Sequence, residues 1–433
     1  MSVRSRGPVG SATRTAKVLL RFGATPSAMA RRLERYRAIT AEYGISPTWP
    51  ATACVLARHP DLLRQYADEG VELALHGLVH GDHAALDREQ QRTSIARAMA
   101  IFERCGVAAT GFRGPYLRYN ESTLDVLREI GLGYHSSQAV AFPLRDGEPR
   151  PGRAATRYGL ALAFYGALDA RRVSVTPKLR GGLVDIPVAV PDDEILAERL
   201  DLDQSARAAE WVHILEHTHE RGELFTVQLH PERIPELGEA LRVTLADARR
   251  RRPALFIARL DQIAAWWRRR SSFRVIVTRS GEHRYRVHVA ADPDATLVVR
   301  GIAAVGTPWY GPDAVYEARD FEVVSPRIPI VGVSARSPRW VTRLLAEEGF
   351  PFELSDARGA YGSHIDLVGD ASEADVLSAI DAAPGPLVRI WRWPNASRSA
   401  LAVTGDIDAI TLFDFAIRSW ETRAPARAAG KTS

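Results

Sequence analysis

The 433-residue sequence predicts an α/β fold: a distorted (β/α)7-type barrel carrying an additional β-rich and small α/β region. Three observations predict it. Short apolar runs alternate with amphipathic helical segments from residue 27 to residue 270, which argues for parallel β/α units. Six or seven such pairs fall in that span, enough to curl a sheet into a barrel. His76, Arg113, Asp185 to Asp193 and His230 all follow strand runs, where such a fold exposes its working loops.

The elements follow in order. Residues 27–43 have helical periodicity, with Ser27 as N-cap. Thr48 to Val55 reads as a strand. Residues 60–70 read as a helix with Pro60 in its first turn and Gly70 as its stop. Val71 to Leu75 is a strand that delivers a histidine cluster. Residues 87–105 form a long amphipathic helix, Gly111 to Arg113 ends the next strand, and 121–131 is helical. Leu183 to Val188, Leu224 to Leu229 and Ala254 to Ala258 read as strands. Residues 204–220, 235–250 and 260–270 read as helices.

After Arg270 the pattern changes. Phe273 to Thr278 and His283 to Val289 alternate around Gly281, a hairpin signal. Pro329 to Val333, a Ser337-Pro338-capped helix to Gly349, and Phe350 to Leu354 make a β-α-β unit, and 374–382 adds a helix. The expected domains are a disordered 1–16, a barrel over 17–270, an accessory region over 271–390, a returning strand and helix over 391–420, and a disordered tail over 421–433.

Composition narrows the function classes. Hydrophobic content of 46% and charged content of 25% are ordinary for a globular protein. Net charge is +5, but only Lys17, Lys178 and Lys431 are lysines, and the positives are interspersed with acids. The runs Arg249–Arg252 and Arg268–Arg270 read as solvated helix ends, so no nucleic-acid partner is expected. Cys54 and Cys105 make neither a disulfide framework nor a zinc ribbon. Val18-Leu19-Leu20 is too short for a signal core, and no run approaches a membrane span; the expected location is cytoplasmic.

Four motifs carry chemistry. In Leu75-His76-Gly77-Leu78-Val79-His80-Gly81-Asp82-His83, three of the chain's 12 histidines lie within eight positions. Neutral imidazole is the commonest metal ligand, and an i, i+4 pair after a strand can converge on one ion. Arg113-Gly114-Pro115-Tyr116 puts a guanidinium at a strand end before a Pro-fixed turn, and the Tyr116 N–H is a candidate oxyanion donor. Leu229-His230-Pro231 places an imidazole at another strand end, suited to a general acid. Thr404-Gly405-Asp406-Ile407-Asp408 is a strand ending in two acids on one face. Taken alone, the Arg113 motif reads first as a salt bridge beside a turn and the His230 motif as a capping or core His, while the histidine pair and the Asp406/Asp408 strand read equally as surface loops.

Together they resemble the NodB-type polysaccharide deacetylases, carbohydrate esterase family four. The resemblance covers roughly 17–270 and is strongest over 60–137. It implies that His76 and His80, with a carboxylate, hold a divalent metal, zinc suiting that set. It also implies that Arg113-Gly114-Pro115-Tyr116 is the R-x-P-Y motif and His230 the general acid. Gly133-Tyr134-His135-Ser136-Ser137 is similar to G-x-Y-D-S-S, with His135 in place of Asp. Asp82, His83 and Asp193 are expected to act in support, and Pro115 fixes the turn.

The departure is at the first motif, T-F-D-D. The equivalent place reads Arg21-Phe22-Gly23-Ala24, without either acid. Two readings stay open. The chain is an inactive sugar-binding or scaffold relative, or Thr404 to Asp408 returns as a circularly permuted first strand. On the second reading Asp406 is the base and Asp408 the metal ligand, Arg113 keeps the base ionised, and the reaction removes N- or O-linked acetyl groups from a glycan. A non-sugar amide is a third substrate class. The segment from Asp185 to Asp193 lacks the Trp of the family's fourth motif, and its role is open. Trp309-Tyr310 and Trp391-Arg392-Trp393 could stack on sugars or line a domain interface.

Overall fold

Short, doubly buried runs build the central sheet of this computed structural model, which describes residues 21–147, 149, 151–302, 306–367 and 369–421. The expected disordered segment 1–16 lies outside these, as do Val18 to Leu20 and all of the expected disordered tail 421–433 except Glu421, which ends a helix. The strands are β1 (Thr48–Ala51), β2 (Glu72–Leu75), β3 (Gly111–Phe112), β4 (Tyr134–His135), β5 (Lys178–Arg180), β6 (Leu183–Asp185), β7 (Leu224–Gln228), β8 (Leu255–Ile257) and β9 (Ser399–Thr404). Their order is β7-β9-β1-β2-β3-β4-β6-β5, with β8 joining β9. All pairings are parallel except β5 with β6, and the sheet curls as a half-barrel.

The position of β9 matters most for function. Its six residues are all buried, as expected of a strand covered on both faces. One edge pairs with β7 along Leu224 to Gln228. The other meets β8 at Ser399 to Leu401 and β1 at Thr404. An Ala51–Ile407 bridge extends the contact past the strand end. A segment late in the chain is thus a central strand between two early ones.

Several local expectations need correction. The run from Thr48 to Val55 is a strand only to Ala51; Ala53–Arg58 is helical. A short apolar run does not distinguish the two by periodicity. Leu183 to Val188 breaks at Ile186-Pro187, because Pro187 has no N–H to continue a ladder. Val188–Val190 instead joins Ala139–Ala141 and Leu168–Asp169 in a separate sheet. The helix Arg153–Tyr165 had no counterpart in the sequence reading. Arg270 is not a solvated helix end: it is buried and donates to the carbonyls of Trp391, Glu347 and Ile390.

Beyond the barrel, Arg274–Gly281 and Arg284–Ala290 form the expected hairpin, with Asp320–Val324 as a third strand. Ile328–Val333, the helix Arg339–Glu348 and Phe352–Leu354 form the expected β-α-β unit. Leu387–Pro394 pairs with Ala295–Arg300 and then leads directly into β9. Trp309 packs edge-on against Trp391, and Trp393 lies against Trp267. These aromatics therefore pack together between the barrel helix and the accessory strands. No helix among the described residues is long and apolar enough to cross a membrane.

Candidate active site

The loops after β2, β3, β7 and β9 meet at the C-terminal end of the sheet. β2 ends at Leu75, so His76 is the first residue beyond it, and Gly77 turns the chain with a φ of 79°. A side chain at position 77 would strike the His83 ring, so Gly keeps His76 and His80 on one side of a tight turn. His76 Nδ1 donates to the Arg113 carbonyl at 2.8 Å, which leaves the Nε2 lone pair facing the site.

The acids from β9 reach these histidines. His76 Nε2 lies 3.8 Å from Asp406 and 3.4 Å from Asp408, and His80 Nε2 lies 3.1 Å from Asp408. One ligand atom each from His76, His80 and Asp408 falls within 4.8 Å of the others. His76 Nε2 and Asp408 Oδ1 are buried yet make no hydrogen bond among the described residues. Burial pushes the His80 imidazole well below its ordinary value. Burial works against the Asp408 charge, but the groups around it outweigh it and hold the carboxyl well below the usual range, the Arg418 guanidinium being the permanently charged one. A neutral imidazole, an ionised carboxylate and two orphaned atoms fit a divalent cation.

Arg113 is fully buried behind them. Its Nη1 donates to Asp406 Oδ1 at 3.0 Å and to Thr404 Oγ1 at 2.7 Å. Its other nitrogens are held by the carbonyl and hydroxyl of Ser136. Gln228 Nε2 donates to Asp406 Oδ2 at 3.0 Å. Asp406 is therefore clamped from two sides, and Asp408 is left to the histidines and to Arg418 Nη1 at 2.9 Å.

His230 faces the site with a partner of its own. Its backbone N–H donates to Asp193 Oδ2 at 2.8 Å, and its Nδ1 lies 2.9 Å from the same oxygen. Burial pushes the imidazole down, but the Asp193 carboxylate outweighs it and raises it well above the ordinary value. Arg233 also pairs with Asp193 at 3.3 Å.

The remaining predicted residues are placed as follows. Pro115 is buried, and Tyr116 has a φ of 61° with its ring edge-on to His80 at 4.3 Å. Asp82 caps the short helix after it and pairs with Arg118 at 2.9 Å. His83 packs on Phe112 and is pushed down to about 4 by burial. His135, in the motif position usually held by Asp, pairs with Asp185 at 3.1 Å. Gln228 and Arg418 were missed by sequence reasoning. Gln228 shares a strand face with His230, a period-two signal that could have found it; Arg418 had no local signal.

Residues 10–135 match the family described as "Polysaccharide deacetylase". A peptidoglycan deacetylase-like protein of Gibberella zeae is 31% identical over 91 residues, which is 21% of this chain and 27% of that protein. The chain thus spans about a quarter of the curated relative it matches. A solved structure of a putative polysaccharide deacetylase from Mycobacterium smegmatis is 22% identical, with 54% of this chain and 76% of that one covered and a TM-score of 0.42. A probable polysaccharide deacetylase from Pseudomonas aeruginosa is 18% identical, with 55% and 73% covered and a TM-score of 0.43. The match over residues 10–135 takes in the His76, Arg113 and His135 segments, so that stretch of the chain is similar to the polysaccharide deacetylase family.

Proposed function

We propose that this chain is a metal-dependent hydrolase that removes acetyl groups from a glycan, with its first catalytic strand circularly permuted to β9. The observation that carries the reading is the meeting of Asp406 and Asp408 with His76 and His80 at 3.1–3.8 Å. An inactive sugar-binding relative would leave those acids far from the histidines, so the distances favour the enzyme.

His76, His80 and Asp408 would hold the ion, with zinc suiting two imidazoles and a carboxylate. When bound, a divalent ion supplies Lewis-acid polarisation of an acetyl carbonyl and makes a water more acidic. Asp406 then serves as the base, taking a proton from the attacking water. Arg113 and Gln228 hold its two oxygens in place. Its pairing with Arg113 is why we assign the base to Asp406 and the ligand to Asp408, although one extra residue separates the acids here. His230, held protonated by Asp193, delivers a proton to the leaving amine or alcohol. Tyr116 sits on the turn that would offer its N–H to the developing oxyanion.

The test is deacetylation of acetylated oligosaccharides by the purified chain with added zinc. Asp406→Asn and Asp408→Asn should each lower kcat/KM by at least a hundredfold. Unchanged turnover in both would overturn the permuted reading. His76→Ala should lose stoichiometric zinc; retention would mean that the metal centre is elsewhere.

A further inference from the structure

The helix Arg153–Tyr165 carries none of the catalytic motifs, yet its last turn touches both halves of the candidate site. On one side the Phe164 ring lies 6.0 Å from Tyr116, edge to face, and Tyr116 meets His80 at 4.3 Å. Arg118 lies over the Phe164 ring at 5.1 Å, donates to the Phe164 carbonyl, and pairs with Asp82. On the other side the Tyr165 hydroxyl lies 3.1 Å from both Asp192 and Glu194, which flank the Asp193 that holds His230. Earlier in the helix, Arg157 donates to the Glu198 carbonyl at 3.2 Å. The helix is therefore tied down along its length, and its end is fixed over the site.

Phe164 is 41% exposed and Tyr116 39% exposed, although both are large aromatic rings. Two aromatic rings left open beside convergent polar groups are the usual lining of a ligand site. A pyranose ring has an apolar C–H face that matches an aromatic face and a hydroxyl edge that matches neighbouring polar groups.

We infer that one pyranose ring of the substrate glycan stacks on the Phe164 ring, with the Tyr116 ring standing across it at 74° as the side of the subsite, and that the helix Arg153–Tyr165 supplies the aromatic platform of this site. This rests on the reading of the site as a glycan deacetylase. Phe164 is a positioning and specificity residue; it takes no part in proton transfer. The platform therefore acts on substrate binding, and its loss should appear in Kd and KM before kcat.

The experiment is calorimetric binding of two probes, a tetramer of N-acetylglucosamine and an acetylated xylo-oligosaccharide, to the full chain. Turnover of whichever probe binds is measured in parallel. Phe164→Ala should weaken binding roughly tenfold and raise KM by a similar factor, and Phe164→Trp should restore binding to within about threefold. Unchanged binding by Phe164→Ala overturns the platform. So does equal loss in both variants, which would mark a structural role. Failure of the unmodified chain to bind either probe overturns it as well. Binding without turnover, still lost in Phe164→Ala and restored in Phe164→Trp, supports the platform while refuting the deacetylase reading.

Discussion

Arg113 and Asp406 lie 293 residues apart in the chain and are joined by a 3.0 Å ion pair between two buried side chains. A buried guanidinium is costly unless its donors are filled. Here Asp406, Thr404 and Ser136 fill them, so the Arg needs the returning segment as much as the acids need the Arg. Arg113→Ala should leave Asp406 buried without its cation. The expected result is a loss of activity of at least a hundredfold together with a destabilisation of about 3–5 kcal/mol, measured by kinetics and by denaturant titration.

The two acids should separate when metal and activity are measured together. Asp408→Ala is expected to abolish the rise in melting temperature that zinc produces in the parent, because an ion that binds only the folded state stabilises it. Asp406→Asn should keep most of that rise while losing turnover. Equal loss of the zinc response in both would reverse or merge the assigned roles.

Asp193 raises the His230 imidazole, and this sets a pH dependence with a definite sign. A general acid works while protonated, so activity falls as pH rises through the imidazole's folded value. Asp193→Asn removes the raising charge. The alkaline limb of the kcat/KM profile should then move to lower pH by at least about one unit. The pair also stabilises the fold fully below the imidazole's ordinary value, and that contribution fades as pH rises through the raised value.

Glu348, whose partners lie outside the candidate site, makes the opposite prediction. It accepts from Arg389, Arg392 and Ser174, tying the helix Arg339–Glu348 to the strand before β9 and to the barrel. Burial opposes its charge, but Arg392 and Arg389 bring the carboxyl down to about 2, from an ordinary 4.5. The stability it contributes is present above pH 4.5 and lost as pH falls towards 2. Glu348→Gln should destabilise by on the order of 3 kcal/mol at pH 7, and the gap should close in acid, as read by denaturant midpoints across pH.

β9 should behave as core rather than appendage. Leu401 is fully buried within it, and Leu401→Ala is expected to cost about 2–5 kcal/mol in denaturant unfolding. Phe413, 63% exposed a few residues later, is the control: Phe413→Ala should stay within about 0.5 kcal/mol.

What could be read in advance follows the range of each signal. His76, His80, Arg113 and His230 stand directly after short apolar strands, so a local pattern placed them. Ala400 to Val403 was legible as a strand for the same reason, but its slot between β7 and β1 is a pairing across the chain that local periodicity does not encode. The pairing of Asp193 with His230 depends on how two loops fold together, and its neighbours Asp192 and Glu194 look the same in sequence. Arg270 misled because a basic run at a helix end is normally solvated; here the accessory strands cover it. Phe164 lay in a helix whose apolar residues gave no clear face, and only its exposure beside Tyr116 marks it.

The place of β9 also sets an order of events during synthesis. Chains lengthen at about 5–20 residues per second, so the stretch between the last barrel helix, Leu260–Arg270, and β9 takes on the order of ten seconds to make. Throughout that interval β7 and β1 have emerged but lack the neighbour that joins them, and unpaired strand edges invite association with other chains. The nascent protein must therefore carry an open seam while its accessory region folds. The acids that complete the candidate centre arrive on the same strand that closes the seam, so the chain acquires its sheet and its chemistry in a single late step.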